Sequence, residues 1–188
     1  MTAVSVKRFT TEEFHRLGEL GFFDDGSVEL IRGELIEMSP KCTPHSVCNT
    51  RLVKRLILLM GEQATVRGQE PITLSERSEP SPDAVVAKYR EDDYLDSHPG
   101  PADCWVVMEI SDSSLGYDRS TKLSLYAESG GLHYWIFNLV NRQLEIYCEP
   151  YQDSQGEYGY RQKRTYLATE RVELPVGGWL ELDGLFPF

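Results

Sequence analysis

The sequence predicts a single α/β domain in which a β-sheet is flanked by helices. Its 188 residues are 40% hydrophobic, which is enough apolar material for one sizeable core. The apolar segments 82–87 and 104–110 are typical of buried strands, and residues 43–60 carry apolar side chains at helical spacing. The sequence contains no internal repeat, low-complexity tract or interdomain linker, so we expect one domain over residues 1–188.

The first elements are predicted from capping and turn residues. Thr10 and Glu13 form a capping box at the start of a short helix. The Arg-Gly pair at 32–33 is typical of the turn in a β-hairpin. Thr43 is the predicted N-cap of a helix that ends at Met60.

Two central strands and a second long helix are predicted in the middle of the chain. The segment 104–110 is rich in the β-branched and aromatic residues that central strands prefer. Asp118 as N-cap and the glycines at 130–131 delimit a helix that packs back over the sheet. Further strands are predicted around Trp135, at 144–147 after a turn, and at 158–167 and 171–182.

Two carboxylates stand out because each is the one acid in an apolar stretch. Asp83 and Glu109 are costly to bury as ions unless they are paired or hold a cation. If their strands pair antiparallel, the start of the first lies beside the end of the second, and the two acids meet. Carboxylate oxygens suit Mg²⁺ or Mn²⁺, so the pair predicts a metal site for phosphodiester chemistry. An acid paired with an arginine at a strand edge explains either residue alone, but explains two meeting acids less well.

Lys122 is a candidate cation for the same site. It lies four residues beyond Asp118, about 6 Å along a helix that rises about 1.5 Å per residue. A helix that follows the second strand starts near Glu109, and a lysine stem there reaches a metal-bound water or a phosphate. Spacing alone leaves open a surface lysine paired with Asp118.

Two N-terminal residues are weaker candidates. His45 falls at helical spacing with Leu52 and Leu56, so it shares the inward-facing stripe of its helix. It either points into the site as a neutral hydrogen-bonding or substrate-orienting group, or is satisfied by local backbone. Glu29 lies in the predicted hairpin, where a solvated strand glutamate is the simpler interpretation.

Several short motifs, taken in order and spacing, resemble one known family. They include residues 28–40, His45, Pro82-Asp83, 109–115, Tyr117-Asp118-Arg119, Lys122, Tyr126-Ala127, Tyr134-Trp135-Ile136, Leu174-Pro175 and Leu185-Phe186. Together they look like the bacterial group described as Uma-type putative restriction endonucleases, within the PD-(D/E)XK nuclease superfamily. The resemblance spans nearly the whole chain.

The resemblance implies a restriction-endonuclease-like core: a mixed central β-sheet flanked by helices, with extra N- and C-terminal strands. It implies that Asp83 and Glu109 bind the divalent cation of a DNA endonuclease, with Glu29 as a supporting acid. The lysine that the superfamily places two residues after the second acid is Ser111 here. In the Uma-type group a lysine on the following helix is thought to replace it, and Lys122 occupies that place.

Net charge bears on the expected partners. The chain has 19 basic and 30 acidic residues, a formal net charge of −11. It lacks the basicity of a tight nonspecific nucleic-acid binder, so we expect weak, salt-sensitive DNA binding. A bound divalent cation and pairing into a homodimer would build a positive cleft that one chain lacks.

Cysteine and hydropathy patterns bear on location. The four cysteines lack C-x-x-C spacing and the four histidines are scattered, which favours reduced thiols over disulfides or a zinc site. The N-terminus is polar and the strongly apolar stretch 56–60 is far too short to span a bilayer. We therefore expect a cytoplasmic protein without a membrane partner.

Three functions of different class follow from these observations. The first is a Mg²⁺- or Mn²⁺-dependent endonuclease acting on DNA. The second is a noncatalytic protein that keeps the nuclease fold to bind DNA or a protein partner, which Ser111 and the acidic charge favour. The third is another metal-assisted hydrolase on the same site, because fold does not determine substrate.

Overall fold

The computed structural model describes residues 5–24 and 26–187, which form helices on either side of a β-sheet. The helices are α1 (Thr11–Glu19), α2 (Thr43–Met60), and a third helix made of α3 (Leu115–Tyr117), a π-helical turn (Asp118–Lys122) and α4 (Leu123–Glu128). The strands are β1 (Val28–Ile31), β2 (Glu34–Glu37), β3 (Ala64–Arg67), β4 (Ala84–Lys88), β5 (Cys104–Ser111), β6 (His133–Asn138), β7 (Gln143–Gln152), β8 (Tyr158–Leu167), β9 (Arg171–Glu173) and β10 (Trp179–Glu181).

The central sheet has six strands in the order β3-β4-β5-β6-β7-β8. Every neighbouring pair is antiparallel except β5 and β6, which run parallel. A parallel pair needs a crossover connection, and the third helix supplies it. The predicted mixed sheet flanked by helices is confirmed, as are the N-terminal hairpin β1–β2 and the C-terminal strands within 171–182, which pair antiparallel as β9 and β10.

Each face of the sheet is covered by a different layer. On one face, α2 and the C-terminal segment bury apolar side chains, among them Cys48, Leu52, Leu56, Val86, Met108, Trp135, Phe137, Leu180 and Leu185. On the other face, β1 and α4 do the same, with Ile31, Val85, Val107, Leu125, Tyr126, Tyr134 and Ile136. A strand covered on both faces must be apolar almost throughout, as β4 and β5 are.

The register between β4 and β5 brings the two predicted acids together. Ala84 pairs with Met108, so the preceding Asp83 and the following Glu109 lie at the same end of the strand pair. The antiparallel pairing on which their meeting depended is therefore confirmed.

The predicted start of α2 is wrong by one residue. Cys42, in extended conformation, is the N-cap, and no side chain caps the helix. Thr43 is already helical, so its hydroxyl does not act as a cap. The Cys42 thiol instead lies 3.5 Å from the Asp112 carboxylate.

The predicted start of the third helix is wrong as well. The helix begins at Leu115, three residues before Asp118. Asp118 is buried, and both Ser111 and Ser114 donate hydrogen bonds of 2.7 Å to its Oδ2. This carboxylate is therefore fixed by tertiary contacts instead of capping a helix, and it opens a π-helical turn.

The described part of the chain has no helix long and apolar enough to cross a membrane. All four cysteines are free thiols: Cys48 and Cys104 are buried, Cys148 is half-buried, and Cys42 is exposed.

A further buried acid, Glu145 in β7, connects the third helix to the sheet. Its side chain is fully buried and forms ion pairs with Arg119 of the π-helical turn and Lys163 of β8. Asn138 and Tyr147 also donate hydrogen bonds to it. Burial alone would raise the pKa of Glu145, but the hydrogen bonds from its partners outweigh burial and lower it.

We expect Glu145→Gln to lower the free energy of unfolding at neutral pH by about 1.5–3 kcal/mol, the usual contribution of hydrogen bonds to a charged group. Because the folded pKa is lowered, this contribution is present above the unfolded value, near 4.5, and is lost as the pH falls through the folded pKa. Urea denaturation should therefore show the gap between wild type and variant narrowing in acid. Glu173→Gln, at an exposed strand position, is the matched control. A gap of constant size at every pH would contradict the ionic origin.

Candidate active site

Asp83 and Glu109 are tied to each other's strand by backbone hydrogen bonds. The Asp83 amide donates to Glu109 Oε2 at 3.4 Å, and the Ile110 amide donates to Asp83 Oδ2 at 2.8 Å. Both carboxylates are buried, with side chains 7% and 9% exposed. The antiparallel pairing of β4 with β5 thus determines the relative position of the two acids.

Lys122 is buried between two acids. Its Nζ lies 3.1 Å from Glu109 Oε1 and 2.6 Å from Glu29 Oε2, and its side chain is 1% exposed. Tyr126, one turn further along the helix, donates a 2.8 Å hydrogen bond to Glu109 Oε1. The alternative of a surface lysine paired with Asp118 is therefore wrong.

Glu29 closes a ring of contacts around the site. Its Oε1 accepts a 2.9 Å hydrogen bond from the Ser81 amide, two residues before Asp83, while its Oε2 holds Lys122. The solvated interpretation of Glu29 is wrong, because its side chain is 2% exposed. The hairpin, the entrance of β4, the end of β5 and the third helix are therefore connected through one lysine and two glutamates.

The π-helical turn determines where Lys122 points. Its wider turn directs Asp118 towards Ser111 and Arg119 towards Glu145, while Lys122 enters the site. Leu123 N donates to the Asp118 carbonyl, and Tyr134 OH donates to the same oxygen at 3.2 Å. Single π-helical turns inside helices are common at functional sites.

His45, in the first turn of α2, contacts Asp83. Its Nε2 lies 2.9 Å from Asp83 Oδ2, and its side chain is 11% exposed. A carboxylate accepts hydrogen bonds, so Nε2 carries the proton. His45 is therefore satisfied by the site and not by local backbone, while its Nδ1 is buried without a hydrogen-bond partner.

Three residues of the cluster were not among the predicted site residues. Lys41 Nζ lies 3.6 Å from Asp83 Oδ1, and Gln69 Nε2 lies 3.3 Å from the same oxygen. Tyr126, described above, is the third. Gln69 also has a positive φ of 60°, which its sequence neighbours do not reveal. Two signals could have indicated Tyr126: its apolar helical context and its place in one of the motifs that carry the family resemblance.

The pKa values of the two acids shift in opposite directions. Burial raises the pKa of Glu109 to about 8; the Lys122 charge opposes this rise, and the Asp83 charge adds to it. Burial would also raise the pKa of Asp83, but the hydrogen bond and charge of His45 lower it. Burial lowers the pKa of Lys122, yet the charges of Glu109 and Glu29 outweigh burial, so this lysine is a cation.

The donor set fits a hard divalent cation. No three His, Cys, Asp or Glu side chains within residues 5–24 and 26–187 form a ready-made cage, and Mg²⁺ does not need one. It keeps several waters and binds through one or two carboxylates plus substrate phosphates. Glu109 Oε2 and Asp83 Oδ1 have the longest contacts, 3.3–3.6 Å, and are the oxygens best able to change partner.

Charge supports the same fit. The cluster contains four buried carboxyl groups but a single fully buried cation, Lys122. The four are Glu29, Asp83, Glu109 and Asp118. Each of the other three raises the pKa of Glu109, and an added divalent cation would offset this repulsion.

The sequence matches the family described as "Uma2: Putative restriction endonuclease" over residues 11–183. The chain belongs to the Uma2 family. This match contains every residue of the cluster, from Glu29 to Tyr126. No curated protein matches the sequence.

A solved structure shares the fold of this Uma2 chain. The crystal structure of "a putative nuclease belonging to DUF820" from Anabaena variabilis ATCC 29413 superposes with a TM-score of 0.65. The alignment covers 95% of this chain and 97% of the other at 14% sequence identity. The likeness establishes a shared fold, that of a protein described as a nuclease.

Ser111 has a structural role in this Uma2 chain. Its hydroxyl donates a 2.7 Å hydrogen bond to Asp118 at the start of the π-helical turn. Lys122, at the end of that turn, brings an ammonium group to Glu109.

We expect Lys122→Met to lower the free energy of unfolding by about 3–5 kcal/mol, because it leaves Glu29 and Glu109 buried without their cation. Adding Glu29→Gln should recover part of the loss by removing one uncompensated charge. Denaturant unfolding of both single variants and the double variant measures the coupling.

Lys54→Met is the matched control, since Lys54 is an exposed lysine of α2. Equal stability of Lys122→Met and Lys54→Met would contradict the paired, buried state of Lys122.

Proposed function

We propose that this Uma2 chain is a Mg²⁺- or Mn²⁺-dependent endonuclease that hydrolyses phosphodiester bonds in DNA. One observation carries the proposal: Asp83 and Glu109 meet at the ends of two adjacent strands, and the buried Lys122 contacts Glu109. Family membership and the fold shared with a nuclease support the same reaction class. The PD-(D/E)XK type, with its lysine displaced from position 111 to Lys122, is part of the proposal.

The chain's own residues have separate tasks in this reaction. Asp83 and Glu109 would hold the cation, which when bound lowers the pKa of a water and stabilises charge on the phosphate. His45 orients Asp83 through Nε2 and keeps it ionised by lowering its pKa. Lys122 supplies positive charge beside Glu109, where the attacking water would be oriented. Glu29 holds Lys122 in that position.

A noncatalytic function in binding DNA or a partner is the second candidate. The observation that favours it is the net charge of −11 together with Ser111 at the usual lysine position. The two candidates share the fold and differ in whether a bound cation leads to cleavage.

We expect purified protein to nick supercoiled plasmid with Mg²⁺ or Mn²⁺, and Asp83→Asn to reduce the rate about 100-fold or more. The loss follows from removing one charged cation ligand, since metal ions contribute several kcal/mol to such transition states. Single-stranded DNA and RNA tested in parallel define the substrate class.

Asp96→Asn, at an exposed loop position, is the matched control and should cut like wild type. Equal cleavage by Asp83→Asn and wild type would point to a contaminating nuclease or a different site. Cation binding by calorimetry without cleavage of any substrate would favour the noncatalytic function.

We expect duplex DNA binding to be weak and to weaken further as salt rises, because an acidic chain can engage few phosphates at once. Fluorescence anisotropy with Ca²⁺, at several salt concentrations, measures affinity without turnover. Light scattering of the same samples tests the predicted homodimer. Tight binding that ignores salt would be inconsistent with this electrostatic account.

A further inference from the structure

The two acids of the site are each paired with a lysine, and the two lysines differ sharply in exposure. Lys122, beside Glu109, has a side chain 1% exposed, whereas the Lys41 side chain, beside Asp83, is 42% exposed. The lysine beside Glu109 is therefore enclosed by protein, whereas the lysine beside Asp83 reaches solvent.

Lys122 is poorly placed to contact a substrate. Its Nζ lies between Glu29 and Glu109 at 2.6 and 3.1 Å and 5.9 Å from the centre of the Tyr126 ring. Turning it towards a phosphate would leave Glu29 buried without its cation, which costs several kcal/mol. Lys122 therefore acts through Glu109.

Lys41, in contrast, is exposed and weakly held. Its Nζ is 3.6 Å from Asp83 Oδ1, too long for a hydrogen bond, and solvent around the exposed ammonium group weakens the ion pair. A lysine of this kind is a point charge on a flexible stem and binds phosphate readily. Breaking its ion pair costs little, so Lys41 can change partner.

The start of α2 adds to the attraction for an anion at this place. Lys41 directly precedes the Cys42 N-cap, where no side chain caps the helix and the first turn contains no acid of its own. The Asp112 carboxylate, which contacts the Cys42 thiol, is the acid beside this helix start. His45 of that first turn contacts Asp83, so the positive end of the helix dipole faces Asp83 as well. The lysine and the uncapped helix start therefore act on the same side of Asp83.

We propose that Lys41 is the residue that contacts the scissile phosphate of DNA, and that Lys122 positions Glu109 without touching the substrate. The inference rests on the proposed nuclease function and assigns its substrate-contacting cation. Substrate would approach from the Asp83 side, where the exposed Lys41 and Gln69 both contact Asp83 Oδ1. A cation held by Asp83 would weaken the ion pair to Lys41 and leave the ammonium group available to a phosphate oxygen.

The test compares Lys41→Met with Lys54→Met, which removes the same charge from another exposed position. Anisotropy with a short DNA duplex in Ca²⁺ gives the affinity and its salt dependence; steady-state kinetics in Mg²⁺ give kcat and KM. We expect Lys41→Met to weaken binding about threefold to tenfold and to reduce the salt slope by about 1, the effect of one lost phosphate contact. KM should rise more than kcat falls. Lys41→Arg should retain most binding, and Lys54→Met should match wild type.

The outcomes separate this inference from the proposed function. If Lys41→Met binds with wild-type affinity and slope, or changes no more than Lys54→Met, the assignment of Lys41 is wrong while cleavage lost in Asp83→Asn still supports the nuclease. If wild type binds no DNA under any condition, both proposals fail. Circular dichroism confirms that the variants are folded, which is expected for an exposed residue between β2 and α2.

Discussion

The buried ammonium group of Lys122 is the interaction on which the arrangement of the site depends. It is the one fully buried cation among four buried carboxyl groups, and it contacts Glu29 of the hairpin and Glu109 of β5. A charge in the interior must be paired and hydrogen-bonded, because the effective cost of removing each ion from water is several kcal/mol. The hairpin, the sheet and the third helix must therefore pack so that both contacts of Lys122 form.

The rest of the site follows from that constraint. From the π-helical turn, Asp118, Arg119 and Lys122 each reach a buried partner, namely Ser111, Glu145 and Glu109. Glu29 contacts Lys122 through one carboxylate oxygen and accepts a hydrogen bond from the Ser81 amide through the other. It therefore links Lys122 to the segment just before β4, which carries Asp83. Protein contacts alone thus hold the two acids in position.

The two acids of the site have different surroundings and opposite pKa shifts. Burial raises the pKa of Glu109, and the buried Lys122 offsets the charge of its ionised form. His45 keeps the pKa of Asp83 low, and the exposed Lys41 lies beside it. A strongly acidic protein can still attract a phosphate at such a place, because the positive groups are local and the net charge is distributed over the whole surface.

Much of the fold and part of the site could be predicted from local sequence. Apolar strands at 82–87 and 104–110 indicated the central pair, and a single acid in each indicated Asp83 and Glu109. The helix starts at Thr43 and Asp118 were predicted from capping preference and were wrong. Neither helix has a side-chain cap, and Asp118 accepts hydrogen bonds from Ser111 and Ser114 instead. Lys41 and Gln69 carried no local signal, since their importance depends on their distance from Asp83.

By itself, the sequence determined the strands, the hairpins and the two acids, because side-chain alternation and the cost of burying charge act locally. Only the tertiary structure decided that Glu29 is buried, that Lys122 is paired with it, and that Lys41 faces solvent. The exposure of a charged residue depends on which elements pack over it. That packing joins β1, β5 and the third helix from positions 29, 109 and 122, and no short sequence pattern spans such separations.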